Sequence, residues 1–318
     1  MKILVTGSAG HLGEALMRTL SSTDHSAVGL DITASPFTHI VGSIADRVVV
    51  ARAMRGIDAV LHTATLHKPH VATHTPQAFV DTNVSGTLAL LEAAVSNRAR
   101  AFVFTSTTSA FGDALVPAPE EPAAWITEST TAIPKNIYGV TKTAAEDVCS
   151  LFHRDHALPC MILRTSRFFP EDDDHVETRR AYDALNLKVN EYLYRRVDIE
   201  DAVSAHLLAL ERAPTIGFAR YIISATTPFA REDTAALRTG APHVLAMRIP
   251  GYEAEYRKRG WRMFPSIDRV YVNERARTEL NWQPRYDFAY ILDRLRAQED
   301  PRSPLARAVG YKGYHPQH

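Results

Sequence analysis

The stretch "TGSAGHLG" (6–13) constrains this chain more than any other. It ends an apolar run, "KILVTG" (2–7), and opens the amphipathic pattern "HLGEALMRTLSS". Its glycines fall at Gly7, Gly10 and Gly13, a GxxGxxG spacing between a strand and a helix. Gly7 permits the tight turn, Gly10 lets backbone N–H groups approach a pyrophosphate, and Gly13 allows close helix–strand contact. The helix N-terminus, with His11 and Leu12, then turns its positive dipole end toward the phosphates. A strand, glycine loop and helix in this order open a doubly wound sheet that binds a dinucleotide.

The following residues extend that sheet. Apolar runs at 26–31, 37–43, 58–65, 100–107 and 159–166 alternate with helical patterns, among them "RVVVARAMRG", "VSGTLALLEAAVSN" and "GVTKTAAEDVCSLFHRDH". Strands separated by helices of this length predict a parallel sheet with right-handed crossovers, and continuous apolar runs fit strands covered on both faces. The fold class is therefore α/β, a doubly wound parallel (Rossmann) sheet over residues 1–166, with 197–226 returning to it. Beyond residue 167 the pattern becomes irregular, with "RYIISATTPF" (220–229) as an isolated strand, and predicts a smaller substrate-binding region over 167–318. Asp31 ends the second strand, where a carboxylate would accept the adenine-ribose hydroxyls. It would repel a 2′-phosphate, and no Arg or Lys follows in "DITASPF", so NAD is favoured over NADP.

Charge excludes several partners. Lys+Arg and Asp+Glu both number 36, so no net field draws nucleic acid or an anionic membrane. No apolar run reaches the length of a bilayer span, and the start of the chain has no signal-peptide apolar stretch. Cys149 and Cys160 lack metal or redox spacing and read as reduced cysteines of a cytoplasmic protein.

"YGVTK" (138–142) places Tyr138 and Lys142 on one helical face. With "HTAT" (62–65), "NVSGT" (83–87), "TSTTSAFG" (105–112), "VDIED" (197–201) and "LNWQP" (280–284), it completes an ordered series behind the glycine loop. The series resembles the extended short-chain dehydrogenase/reductase family, the NAD-dependent sugar epimerases and dehydratases. The resemblance implies that Tyr138 is the catalytic acid/base. Lys142 would hold the nicotinamide ribose and lower the tyrosine pKa, and Thr107 would hydrogen-bond the reacting oxygen. It implies cofactor contacts at Thr63, Ala64, Thr65, Thr105, Ser106, Thr165 and Ser166, and makes Asn83 the residue that steadies its helix. It also implies a homodimer through the helices that hold "GTLALLEAAVSN" and "TKTAAEDVCSLFHRDH". The chemistry agrees: tyrosine, with a pKa of ~10, is a poor base until nearby positive charge favours the phenolate.

The chain also departs from the family pattern. "GSI" (42–44) replaces an aspartate-containing turn, leaving Ser43 and Ile44 to meet the adenine. Arg167 stands where nucleotide-sugar enzymes carry an asparagine. It can clamp a carboxylate or phosphate, or pair with Glu171 or Asp172, and Arg195 and Arg196 allow the same two readings. The segment 164–197 is short and contains the acidic run "PEDDDHVE", which argues for a small substrate without a nucleotide handle. His67 and Thr108 are further substrate-contact candidates. His67, His70 and His74 have metal-like spacing, but Pro69 interrupts a helix there, so no metal is expected. His62 reads as a packing residue and His175 as part of a solvated loop. Three functions stay open: an NAD-dependent oxidoreductase acting on a small, sugar-like, anionic alcohol or ketone; an epimerase that retains its NAD; and a non-catalytic NAD sensor.

Overall fold

Seven parallel strands form one sheet in the computed structural model, which describes residues 1–171 and 176–313. They are β1 (Lys2–Thr6), β2 (Ser26–Asp31), β3 (Ile40–Val41), β4 (Ala59–His62), β5 (Ala101–Thr107), β7 (Cys160–Thr165) and β8 (Phe218–Ile223). Their order is β3-β2-β1-β4-β5-β7-β8, with β6 (Ala124–Ile126) and β9 (Arg269–Tyr271) paired in a small separate sheet. Strand order reverses between β1 and β4, so a crevice opens at their carboxyl ends, where doubly wound sheets take ligands.

The apolar runs follow from burial on both faces. One core cluster packs the sheet against the helices His11–Leu20 and Ile199–Ile216, and a second packs it against Arg47–Ala53, Gly86–Ser96 and Ile137–His156. A third cluster lies apart, among the helices Thr234–Arg248, Tyr252–Arg259 and Phe288–Arg296. The Ile137–His156 helix starts on Asn136, whose side chain accepts the Gly139 N–H, and stops at Ala157 in the left-handed conformation.

Two sequence expectations need correction. "RYIISATTPF" is not an isolated strand: Phe218–Ile223 pairs with β7 in continuous register from Cys160↔Phe218 to Thr165↔Ile223. The Ile199–Ile216 helix brings it there, starting in "VDIED" with Asp198 as its N-cap. The 37–43 strand shrinks to Ile40–Val41, because Pro36 precedes it and His39 is engaged with Gly29 through both its backbone N–H and its ring. "VDIED" and "LNWQP" meet in space: the Trp282 indole donates to the Asp201 carbonyl at 3.1 Å, and the Asp201 carboxylate accepts the N–H groups of Arg285 and Tyr286.

Candidate active site

The glycine loop is a cradle that side chains would fill. Gly7 has φ +72°, and a Cβ there would lie 2.8 Å from the Ala64 nitrogen. A Cβ on Gly13 would lie 1.9 Å from the Gly7 carbonyl oxygen. Gly10 donates to the Gly7 carbonyl and accepts from Glu14, setting the first turn of the helix that buries His11 and Leu12. Asp31 reaches this loop, accepting the N–H groups of Ala9 and Thr33, both at 2.9 Å. The next side chain, Ile32, is 71% exposed and uncharged. Bare backbone beside a strand-end carboxylate fits the pyrophosphate and adenosine ribose of NAD. Ser43 accepts the Ala45 N–H, and Ile44 is buried against Gly86.

At the end of β4, buried His62 bridges the hydroxyls of Thr6 (2.7 Å) and Thr87 (2.9 Å). Burial first, then the Lys142 charge, pushes its pKa well below the ordinary histidine value, so it is a neutral structural linker. Thr63 donates to the Thr6 carbonyl and Ala64 to its hydroxyl, tying this segment to the glycine loop's strand. Asn83 sits in a π-helical stretch, Val80–Ser85. Its carbonyl accepts from Thr65 Oγ1 and the Leu66 N–H, and its amide donates to the Leu66 carbonyl and Thr141 Oγ1. It thereby joins the β4 loop to the Tyr138–Lys142 helix.

The carboxyl end of β5 meets that helix. Thr107, opposite Thr165 in the sheet register, accepts the Ser109 N–H at 3.1 Å and stands close enough to Tyr138 to favour its ionised form. Burial pushes Tyr138 up to about 12, and Thr107 acts against it. Lys142 donates to the Thr105 carbonyl at 2.6 Å, with its ammonium 3.9 Å from the Phe104 ring centroid. Burial pushes Lys142 down to about 7, opposed by Glu146. Burial thus disfavours the charged form of both groups, leaving a tyrosine hard to ionise and a lysine easy to discharge. Ser106 directs its hydroxyl to Glu146 at 2.5 Å, and Thr105 directs its own to His206 at 2.8 Å. Thr108, Thr165 and Ser166 are buried at the same sheet edge, Thr165 bonding the Leu163 carbonyl and the Ser166 N–H bonding the Ile223 carbonyl.

The arginines form a separate group. Arg167 and Arg196 face each other in a backbone bridge. Arg167 donates to the Glu171 carbonyl, and its guanidinium lies over Phe169. Arg196 and Arg195 both hold Glu191, at 2.6 and 2.5 Å. Burial alone would raise the Glu191 pKa, but Arg196, Arg195 and Arg167 hold it at about 2. Arg167, Arg196, Arg179 and Lys188 line a cavity of about 80 Å³ together with Glu171 and Glu191.

His67 caps the short turn Lys68–Ala72, with its ring 4.4 Å from that of His70. Among the described residues no group of three or more His, Cys, Asp or Glu side chains is arranged to hold a metal. His175 lies outside the described residues. Sequence reasoning missed Glu146 and Lys312 as participants and the His11 contact of Glu171. Glu146 was signalled only by its i+4 spacing from Lys142. Lys312 carried no signal, and Glu171, expected only as a partner of Arg167, also turns its carboxylate to His11: it lies 3.1 Å from His11 Nε2 and accepts the N–H groups of Lys312 and Gly313. Lys312 completes the group by pairing with Glu14 on the glycine-loop helix.

Comparison with known proteins shows the family and the fold. A sequence model described as the NAD dependent epimerase/dehydratase family matches residues 3–218. The UDP-glucose 4-epimerase of Streptomyces lividans is 28% identical over 249 residues, 67% of this chain and 72% of the relative. The dTDP-glucose 4,6-dehydratase of Streptomyces antibioticus is 27% identical and covers 91% of this chain and 89% of its own. A solved short-chain dehydrogenase/reductase superfamily protein of Agrobacterium tumefaciens, with bound NAD, matches with a TM-score of 0.67 and 23% identity. That match covers 94% of this chain and 98% of the other.

Proposed function

Because this chain belongs to the NAD dependent epimerase/dehydratase family, we propose that it transfers hydride at a secondary alcohol or ketone of a small, sugar-like, anionic molecule. What supports this above all is the placement of Thr107 and Tyr138 together, beside Lys142, at the sheet edge that also carries the glycine loop. NAD, when bound, supplies the hydride acceptor and a positive charge. Tyr138 takes the substrate hydroxyl proton, its phenolate favoured by that charge and by Lys142. Thr107 holds the reacting oxygen in line, which is positioning rather than proton chemistry. Gly7, Gly10, Gly13 and Asp31 hold the dinucleotide, and Asn83 keeps the β4 loop and the Tyr138 helix in register.

An anionic substrate is favoured by the cavity beyond β7, lined by four cationic and two anionic side chains and starting two residues after Thr165. Residues 1–166 with 197–226 serve as the cofactor-binding part, and the rest of 167–318 as the substrate part. We place the protein in the cytoplasm as a homodimer. Among the described residues no helix is long and apolar enough to cross a membrane, and Val140 and Leu151 are exposed on the Ile137–His156 helix.

A thermal-shift and NADH-absorbance panel of NAD with aldonates, uronates, neutral sugars and UDP-sugars tests the substrate class. Stabilisation by an acid sugar with NADH formation supports it; stabilisation by UDP alone refutes it. An epimerase that retains NAD is the second reading, favoured by the Glu171 and Lys312 contacts that gather on the glycine-loop helix. Such an enzyme would purify with cofactor bound and release no NADH with substrate.

A further inference from the structure

Glu146 lies one helical turn beyond Lys142, and its side chain is 1% exposed. Its carboxylate accepts from Ser106 Oγ on β5 (2.5 Å) and from Arg164 on β7 through Nε (3.0 Å) and Nη2 (2.7 Å). Arg220 on β8 adds a contact at 3.2 Å from the outer side. A buried carboxylate needs partners to persist, and a buried ammonium needs an anion to stay charged. Lys142 is also buried, and its single hydrogen-bond acceptor at β5 is the neutral Thr105 carbonyl.

Few charges near Lys142 can do this work. On its own helix, Tyr138 is a protonated phenol and the Cys149 thiol is pushed up by burial, so neither is anionic at neutral pH. From β4, His62 is neutral. From β7 and β8, Arg164 and Arg220 are cations directed at Glu146. We propose that Glu146 is the counter-ion that keeps Lys142 protonated, a positioning residue held in place by Ser106 and Arg164. Ser106 and Thr105 are adjacent on β5, so one strand grips the carboxylate through a hydroxyl and the ammonium through a carbonyl. The inference deepens the hydride-transfer reading, because a discharged Lys142 could not favour the Tyr138 phenolate.

The test is a pH titration of the full chain labelled with ¹³Cε-lysine, read by NMR, with Lys142→Arg used to assign the signal. It needs no substrate, so its outcome is separate from that of the proposed activity. Glu146→Gln keeps the shape and removes the charge. It should move the Lys142 midpoint down by about one pH unit, and an unmoved or raised midpoint overturns the proposal. Should that variant fail to fold, Arg220→Met decides. Removing this partly exposed cation leaves the Glu146 charge less compensated and should raise the midpoint, while an unmoved or lowered one overturns the proposal.

Discussion

The carboxylate of Asp31 accepts the backbone N–H of Ala9 at 2.9 Å, tying the end of the second strand to the middle of the glycine loop. One side chain thus both shapes the pyrophosphate cradle and presents a negative charge where the adenosine ribose would sit. Hydrogen bonds to a charged group contribute about 1.5–3 kcal/mol. Asp31→Ser is therefore expected to weaken NAD binding about 10- to 100-fold. Adding Ile32→Arg at the exposed neighbouring position should move preference toward NADP. Fluorescence titration with NADH and NADPH reads both effects, and unchanged NADH affinity in Asp31→Ser would remove Asp31 from the ribose site.

Tyr138 and Thr107 stand together but have different tasks, so their variants should differ. Tyr138→Phe removes the proton acceptor and should lower turnover by about 10²- to 10⁴-fold, with NADH affinity nearly unchanged. Thr107→Ala removes orientation only and should cost less. Equal losses in the two variants would contradict this division of roles.

Much of this arrangement is legible in the sequence, for definite reasons. The glycine loop is local, since Gly7, Gly10 and Gly13 fall within seven residues of one strand–helix turn. The inner strands read clearly because both faces are buried. What was hidden depends on remote partners. Phe218–Ile223 looked isolated because its partner, β7, lies on the far side of a long excursion through the 167–196 segment and a helix. Glu171 meets Lys312 across 141 residues, and no local pattern encodes that contact. Ser106 was expected at the cofactor, yet its hydroxyl points to Glu146, since strand alternation alone does not say which face holds a buried carboxylate.

Asn83 offers a test of how the β4 loop is held. Its amide makes two bonds to Leu66 and one each to Thr65 and Thr141, and the residue is 2% exposed. Asn83→Leu is close in size but leaves the Leu66 N–H and C=O without these partners, which should cost about 2–4 kcal/mol. Urea unfolding would read it as a lower midpoint with an unchanged slope. A stability loss below half a kcal/mol, in the same experiment, would show that the loop is held by other contacts.

His206 predicts a loss of stability in mild acid. Its Nδ1 donates to the Ala202 carbonyl at 2.7 Å, so the neutral ring presents Nε2 as an acceptor to the Thr105 hydroxyl. Burial pushes its pKa down to about 4 from the ordinary 6.5, with the Ala202 bond acting in the opposite direction. The unfolded chain therefore takes up the proton first as pH falls. The stabilisation is complete above pH 6.5 and is lost progressively toward pH 4, with about 2 kcal/mol gone by pH 5. His62, also depressed by burial, acts in the same direction, so the two must be separated by substitution. His206→Gln should unfold at a lower urea concentration than the wild type at pH 7 and show a smaller drop between pH 7 and pH 5. An equal drop in both proteins would assign the acid sensitivity to groups other than His206.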